Sequence, residues 1–310
     1  MSKIYLGIAV AIVVCSITFS ACRKKEKTPE TQADNEQSTA ADNNLAEGTS
    51  SDIESMGSQV CESGGLSTFK TNGSEVLTLA PCATITPNTT TKTYTVDFGA
   101  SGCLGSDGRV RVGKLIYDFS ASTPSTAIYY RNPGFSMNVT SSGYQVDGHQ
   151  INIINKTVKN TTPNTIPTGA NPGTNLTWSL TAQISIVKAS GGTISWTCNR
   201  TKELTNTSDP LCYNGQTTPI NWTKAKIKIN GTANGTNAKG ENFSATATNL
   251  VRDFTCVPDA TKPHRHPFIS GTISYTPGSR PVRLIDYGSG ACDFSATITI
   301  NGQTFTFNLD

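Results

Sequence analysis

Along most of the chain, apolar and polar residues alternate with a period of two, which predicts β-strands with one buried face. The run Leu176–Ile186 has Leu, Trp, Ala or Ile at every second position, with Thr, Ser and Gln between them. The run Cys292–Ile300 repeats this pattern with Cys, Phe, Ala and Ile. Asn301-Gly302 and Asp147-Gly148 are dipeptides that favour tight hairpin turns. The pattern therefore predicts strands joined by short turns.

About fourteen candidate strands lie between Leu77 and Leu309, with turn residues between them. Their regular spacing, without a composition break after Ser50, predicts one all-β domain over residues 77–310. We expect a single large antiparallel β-sandwich or an elongated twisted sheet. Trp178 and Trp196 fall on the apolar side of their strands and are expected in the core.

A short helix is predicted before the strands, around Ser51–Cys61. Ser51 is a suitable N-cap, and Asp52 and Glu54 lie in the first turn, where the helix dipole favours acidic side chains. Residues 51–76 are therefore interpreted as a short helix and a lead-in to the β domain.

Residues 1–21 have the pattern of an export signal. Lys3 precedes a nearly unbroken apolar run, Ile4–Phe19, and the small residues Ser20 and Ala21 follow. The run is too short for a comfortable membrane span. Because Cys22 comes directly after the small pair, the segment resembles a bacterial lipoprotein signal peptide. That resemblance implies cleavage before Cys22 and acylation of Cys22 by chains such as palmitate.

The basic residues after the apolar run leave a second interpretation open. Arg23, Lys24, Lys25 and Lys27 would stay in the cytoplasm under the positive-inside rule, as in an uncleaved signal anchor. In a lipidated protein, the same residues would lie against anionic headgroups. Residues 22–50 are polar and lack aromatic side chains. They are predicted to be a disordered, lipidated tether.

The chain contains nine cysteines, and seven of them follow Cys22. An exported protein can form disulfides. Pairing each cysteine of the strand-rich region with its nearest partner predicts the disulfides Cys82–Cys103, Cys198–Cys212 and Cys256–Cys292. Cys61 is then left as a single thiol, and the other connectivities remain open.

Two segments share the pattern Asp, aromatic, Gly, three residues, Cys. They are "TVDFGASGC" early in the β domain and "LIDYGSGAC" near its end, and another Gly follows ten residues after each Cys, at Gly113 and Gly302. Asp97 and Asp286 are interpreted as turn formers that accept backbone N–H groups. The repeated pattern is expected to be architectural.

The segments "CATIT", "VDFGASGCLGSDGRVRVGK" and "IDYGSGACDFSATITINGQTF" resemble the sequence blocks of a functionally uncharacterised family of exported bacterial all-β lipoproteins. The resemblance covers most of Cys82–Leu309, and the Cys198–Cys212 segment stands outside it. It implies export, lipidation and a β-rich head. It implies no activity and no catalytic residues.

Residue types for catalysis are sparse in the β domain. Its only glutamates are Glu203 and Glu241, and their spacing does not indicate the facing carboxyl pair of a glycosidase. His149 is expected at the surface after a turn. His264 and His266, in "PHRHP", are interpreted as part of a proline-bounded loop rather than a metal site, since no third ligand lies near them in sequence.

Calcium ligation is a weaker alternative at the two repeated segments. Calcium takes oxygen ligands from loops, and four aspartates cluster in sequence there, without the DxDxDG spacing. They are Asp97, Asp107, Asp286 and Asp293.

A binding face is a further hypothesis in "NWTKAKIKING". Trp222, Lys224, Lys226 and Lys228 alternate with apolar residues, so they would share one strand face. A Trp beside a lysine stripe is suited to a glycan or an anionic polymer. An edge strand protected from aggregation by lysines is the favoured interpretation.

The formal net charge of +3, without a nucleic-acid-binding motif, does not indicate a nucleic-acid partner. The sequence predicts a lipoprotein anchored through acylated Cys22 to a bacterial membrane, at the outer membrane or cell surface. Its disulfide-braced β head is expected to have a structural or adhesive role, without catalysis or cofactor. The alternative is a carbohydrate- or anionic-polymer-binding module that uses the Trp222 face.

Overall fold

The computed structural model describes residues 38–62, 82–105, 107–163, 175–261 and 265–309. These residues form one α-helix, α1 (Ser38–Glu62), one 3₁₀ turn (Trp222–Lys224) and fourteen strands. The strands are β1 Thr84–Asn88, β2 Thr93–Asp97, β3 Cys103–Leu104, β4 Val110–Asp118, β5 Ser136–Val146, β6 His149–Asn160, β7 Leu176–Val187, β8 Thr193–Leu204, β9 Lys226–Thr236, β10 Asn242–Asp253, β11 Phe268–Pro277, β12 Arg283–Ser289, β13 Ser295–Ile300 and β14 Gln303–Asn308.

All fourteen strands of the described ranges belong to one antiparallel sheet whose order follows the chain. Only β3 leaves this path, pairing with β4 alone. The prediction of an all-β, antiparallel fold with a helix before it is confirmed. The sheet is open, and β1 and β14 are its two edges.

The two predicted hairpin turns are confirmed. Asp147 and Gly148 join β5 to β6, and Asn301 and Gly302 join β13 to β14. All four residues have positive φ, between 49° and 79°. This conformation matches the twist of the flanking strands, and Asn-Gly and Asp-Gly adopt it with little strain.

The alternating pattern corresponds to one buried face of the sheet. In β7, the six apolar positions that begin at Leu176 are all buried. Trp178 and Trp196 are fully buried, as expected. The buried face continues through β12 and β13, so one core runs along the sheet.

The helix is longer than the sequence predicted. It begins at Ser38 rather than at Ser51, so the predicted disordered tether is wrong for residues 38–50. The prediction assumed that a segment with few apolar residues cannot order itself. Polar side chains of this segment are instead buried and receive partners from the sheet. No helix of the described ranges combines the length and hydropathy needed to cross a membrane.

The helix packs closely against the buried face of the sheet. At 1.5 Å per residue its 25 residues extend about 37 Å, close to the length of about 40 Å expected for the 12-residue strands. Gly57 allows a close approach, since a Cβ there would lie 2.5 Å from the ring of Tyr117. The Tyr117 hydroxyl donates to the carbonyl of Ile53, 2.9 Å away.

Two of the three predicted disulfides are confirmed. Cys82 is bonded to Cys103, and Cys256 is bonded to Cys292. Cys61 is a buried thiol, as the odd cysteine count suggested.

The predicted disulfide Cys198–Cys212 is wrong, because both residues are buried thiols. Cys198 lies in the middle of β8, six residues before its end at Leu204, which is about 20 Å along the strand. Cys212 lies beyond that end, with its sulfur 3.6 Å from the side-chain oxygen of Asn206. A disulfide needs Cα atoms about 6 Å apart. Nearness in sequence was misleading here, since an extended strand separates the two residues.

Peptide mapping under non-reducing conditions tests this arrangement. We expect the linked pairs Cys82–Cys103 and Cys256–Cys292, because these cysteines are already bonded in the fold. After denaturation without reductant, Cys61, Cys198 and Cys212 should all react with iodoacetamide. A peptide that links Cys198 to Cys212 would contradict the structure.

Candidate functional site

The most unusual feature of the described residues is the chemistry of the contact between α1 and the sheet. The helix contains five acidic residues and no basic residue. Four of these acids are buried: Asp42, Glu47, Asp52 and Glu54. Burying a carboxylate is costly unless it is paired and hydrogen-bonded. Each of the four is met by a basic side chain from the β domain.

The acids contact the β domain in several directions around the helix axis. Asp42, Glu47 and Asp52 are spaced five residues apart, which turns each about 140° from the one before it. Asp42 pairs with Lys188, just after β7, at 2.5 Å, and also accepts the backbone N–H of Ala238. Glu47 and Asp52 reach cations on β8 and β4, respectively. The β domain therefore holds the helix from more than one side.

Glu54 is the most buried of the acids, with 1 % of its surface exposed. It accepts hydrogen bonds from Lys202 and from the hydroxyl of Tyr130, both at 2.7 Å. Burial alone would raise the Glu54 pKa, but Lys202 and Lys156 outweigh it, so the pKa lies below its usual range. Glu54 therefore stays ionised near neutral pH.

Lys156 completes this group. Its ammonium donates to the hydroxyl of Ser50 at 2.9 Å, and the side chain is almost fully buried. Burial lowers the Lys156 pKa despite the nearby carboxylate of Glu54. The group thus places two lysines around one glutamate, in an interior closed by the helix.

Glu47 and Arg200 form a two-point ion pair. The Arg200 guanidinium donates through Nε at 3.2 Å and through Nη2 at 2.5 Å, and both residues are buried. The cavity between this pair and Glu54 is about 10 Å³, about the room of one water molecule. The space is too small for an organic substrate, so the group is suited to holding the helix rather than to converting a ligand.

Arg111 joins the helix to the loop that follows the first repeated segment. It donates to Asp52 at 2.7 Å and to both carboxylate oxygens of Asp107, at 2.9 and 2.6 Å. Burial would raise the Asp107 pKa, but the hydrogen bonds and charge of Arg111 hold it below its usual value. Asp107, considered above as a calcium ligand, is therefore committed to an arginine.

The other three aspartates of the calcium alternative are turn formers. The side chain of Asp97 accepts the N–H of Gly99 at 2.9 Å, and that of Asp286 accepts the N–H of Gly288 at 2.8 Å. Asp293 accepts in the same way from Ser295. Within the described residues, no three potential metal ligands of the His, Cys, Asp and Glu types form a group.

The two repeated segments therefore have the same kind of turn, and the cysteine of each forms its own disulfide. Gly99 and Gly288 both have positive φ, 74° and 84°, as the turn requires. Their following glycines differ: Gly113 lies at a β-bulge and its N–H donates to Gly99, whereas Gly302 belongs to a hairpin turn. The repeat is local architecture, as expected.

The hypothesis of a Trp222 face is wrong, and so is the favoured interpretation of an edge strand, because β9 pairs with both β8 and β10. Trp222 and Lys224 belong to the 3₁₀ turn, which Asn221 caps, and the strand begins only at Lys226. The Trp222 ring is half-buried against Tyr130 and Phe254.

The lysines of this predicted face lie outside the aromatic cluster. Lys226 pairs with Asp253 at 2.9 Å, and Lys228 pairs with Glu203 at 2.5 Å. Lys224 is exposed. The tryptophan and the lysines therefore do not form one open surface for a glycan.

The histidines have structural contacts. His149 begins β6, and its Nδ1 accepts the N–H of Ala189 at 3.0 Å. The Nδ1 of His266 lies 2.8 Å from the carbonyl oxygen of Cys256. His264 lies outside the described residues, so the predicted loop "PHRHP" is placed only in part.

No family model, no curated protein and no solved structure matches the chain.

The buried charges were not predicted from the sequence, because the acids and their cations lie far apart along the chain. One signal was available, since α1 is acidic throughout while Arg111, Arg200 and Lys202 stand at the apolar positions of their strands.

Glu47→Gln tests whether the helix depends on its ion pairs. The change leaves the Arg200 charge buried without its counterion, and we expect a loss of about 3–5 kcal/mol in the free energy of unfolding. Urea unfolding followed by circular dichroism measures it. Lys114→Met is the matched control: its pair with Asp97 is half-exposed, so the loss should stay below about 1 kcal/mol. Equal losses in the two variants would contradict a special role for the buried pair.

The depressed pKa values of Glu54 and Asp107 predict acid sensitivity. A carboxyl with a lower pKa in the folded state stabilises the fold fully above its unfolded value, about 4–4.5. That contribution disappears as the pH falls through the depressed value. We therefore expect the free energy of unfolding to fall progressively below about pH 4.5, measured by urea unfolding in a pH series. Constant or rising stability on acidification would contradict this.

Proposed function

We propose that the chain is an exported lipoprotein, anchored by acylated Cys22, with a β head that has a structural or adhesive role and no catalysis. The observation that carries the proposal is the pair of disulfides in a chain whose first residues have an export pattern. Disulfides persist mainly in oxidising compartments outside the cytoplasm. The small pair before Cys22 then supports lipidation at the cell envelope.

The interior of the head supports a structural role. The buried acids of α1 are engaged by lysines and arginines, and these contacts fix the helix against the strands. Such groups stabilise a particular arrangement of the fold, whereas a catalytic carboxyl needs access to a substrate. The proposal therefore assigns the buried charges to holding the head together.

The start of α1 limits how far the head can lie from a membrane. Cys22 and Ser38 are sixteen residues apart in the chain, so even a fully extended segment would span at most about 55 Å. Arg23 to Lys27 lie next to the proposed lipid and would contact anionic headgroups. The proposed head is thus held close to its membrane.

Fatty-acid labelling tests the anchor. Cells that express the native chain are grown with an alkyne-modified palmitate, and the purified protein is probed for the label. The native chain should be labelled, and Cys22→Ala should not be, because the acceptor residue is missing.

The matched control is Cys15→Ala, which removes a cysteine from the apolar run but leaves Cys22 in place. It should be labelled like the native chain. A native chain without label, or a Cys22→Ala variant that keeps it, would refute lipidation at this residue. An unlabelled native chain that stays in the membrane at its full length would favour the signal anchor.

A further inference from the structure

Strand β14 is an open edge of the sheet. Within the described residues it pairs with one neighbour, β13, and it ends the strand order. Edge strands present unpaired N–H and C=O groups, to which another strand can hydrogen-bond.

The register shows which backbone groups of β14 are available. Gln303 and Ile300 flank the two-residue turn, so they are a hydrogen-bonded pair, and such pairs recur at every second residue. The N–H of Leu309 donates to the carbonyl of Phe294 at 2.7 Å, as this alternation requires. The N–H and C=O groups of Thr304 and Thr306 therefore point away from β13, toward the open edge.

The two edges of the sheet differ in how they are protected. At the β1 edge, Pro87 lacks a backbone donor and so disfavours the addition of a strand. At the other edge, β14 has the sequence QTFTFN, without proline and without charge. Lysines and prolines are the usual protection of edge strands, and β14 has neither.

The side chains of β14 suit a strand of the same sequence. Phe305 and Phe307 face the core but are only half-buried, whereas Thr304 and Thr306 are exposed on the other face. In an antiparallel pair, residues directly opposite each other share a face. A second copy of β14 would therefore set aromatic rings beside aromatic rings and threonines beside threonines, without repulsion between like charges.

We propose that two copies of this chain associate through β14, antiparallel and related by a two-fold axis at Phe305. In this register, Thr304 faces Thr306 of the second copy, and Thr306 faces its Thr304. The outward backbone groups of these threonines form four hydrogen bonds across the edge. Phe305 faces Phe305 of the second copy in a non-hydrogen-bonded pair, where side chains come closest.

A groove beside β14 is consistent with this register. It has a volume of about 520 Å³ and is lined in part by Asp293, Phe294, Phe307 and Asn308. When Phe305 lies on the axis, the Asn301-Gly302 turn of the second copy falls opposite Asn308 and Leu309. The turn would therefore lie next to this groove. The contact makes one continuous sheet from two heads and does not depend on the lipid anchor.

Charge substitution on the full chain tests both the contact and its register. Sedimentation equilibrium over a concentration series should show a reversible dimer of the native chain. The double variant Thr304→Lys/Thr306→Lys puts like charges opposite each other across the edge and should weaken association roughly tenfold or more. Both positions are exposed, so circular dichroism should show that the monomer stays folded.

The matched variant is Thr304→Lys/Thr306→Glu, in which each lysine faces a glutamate of the second copy. It should associate at least as well as the native chain at low salt. If the axis were at Thr306 instead, two glutamates would face each other and this variant would dissociate, which would overturn the register. A native chain that is monomeric throughout the series, or two variants that associate equally, would overturn the proposal.

Discussion

The fold depends on neutralising the buried acidic side chains of α1. Apolar side chains of α1 such as Ile53, Met56 and Val60 are buried, but its buried carboxylates would oppose folding if they were left unpaired. The lysines and arginines on the buried face of the sheet reverse this balance. The sheet in turn needs the helix, because inward-facing cations such as Arg200 would otherwise be buried without a counterion. Helix and sheet are therefore complementary in charge as well as in shape.

This mutual dependence explains why the contact between α1 and the sheet is polar yet ordered. A hydrophobic core accepts many arrangements of similar volume, whereas a buried ion pair tolerates few. Arg111 shows the effect, since its guanidinium must meet Asp52 of the helix and Asp107 of the sheet at the same time. The disulfide at Cys103 lies just before this group and holds the same part of the chain. Charge pairing and covalent bonding thus fix the same corner of the fold.

Much of the sheet could be read from the sequence because its determinants are local. Alternation along β7 and the dipeptide Asn301-Gly302 each act within a few residues, and the structure confirms both. Sequence proximity also located the Cys82–Cys103 disulfide, whose residues join neighbouring parts of the sheet.

The errors concern features set by residues far apart in the chain. Polarity made residues 38–50 look disordered, because their cations lie more than a hundred residues away, as with Glu47 and Arg200. Trp222 looked exposed because alternation was extended through a turn that Asn221 caps. Its aromatic neighbours, Tyr130 and Phe254, come from distant parts of the chain. A single sequence indicates local periodicity well, but it does not show such partners.

The order of the strands has a consequence for how the molecule folds. Because each strand pairs mainly with the next one in the chain, the sheet can grow by pairing strands that are consecutive in sequence. The helix is different: Glu47 and Arg200 are 153 residues apart, and Glu54 and Lys202 are 148 apart. Although α1 precedes every described strand in the chain, its ion pairs with Arg200 and Lys202 can form only after β8 has been made. The helix thus completes its buried ion pairs only after the first eight described strands have been made.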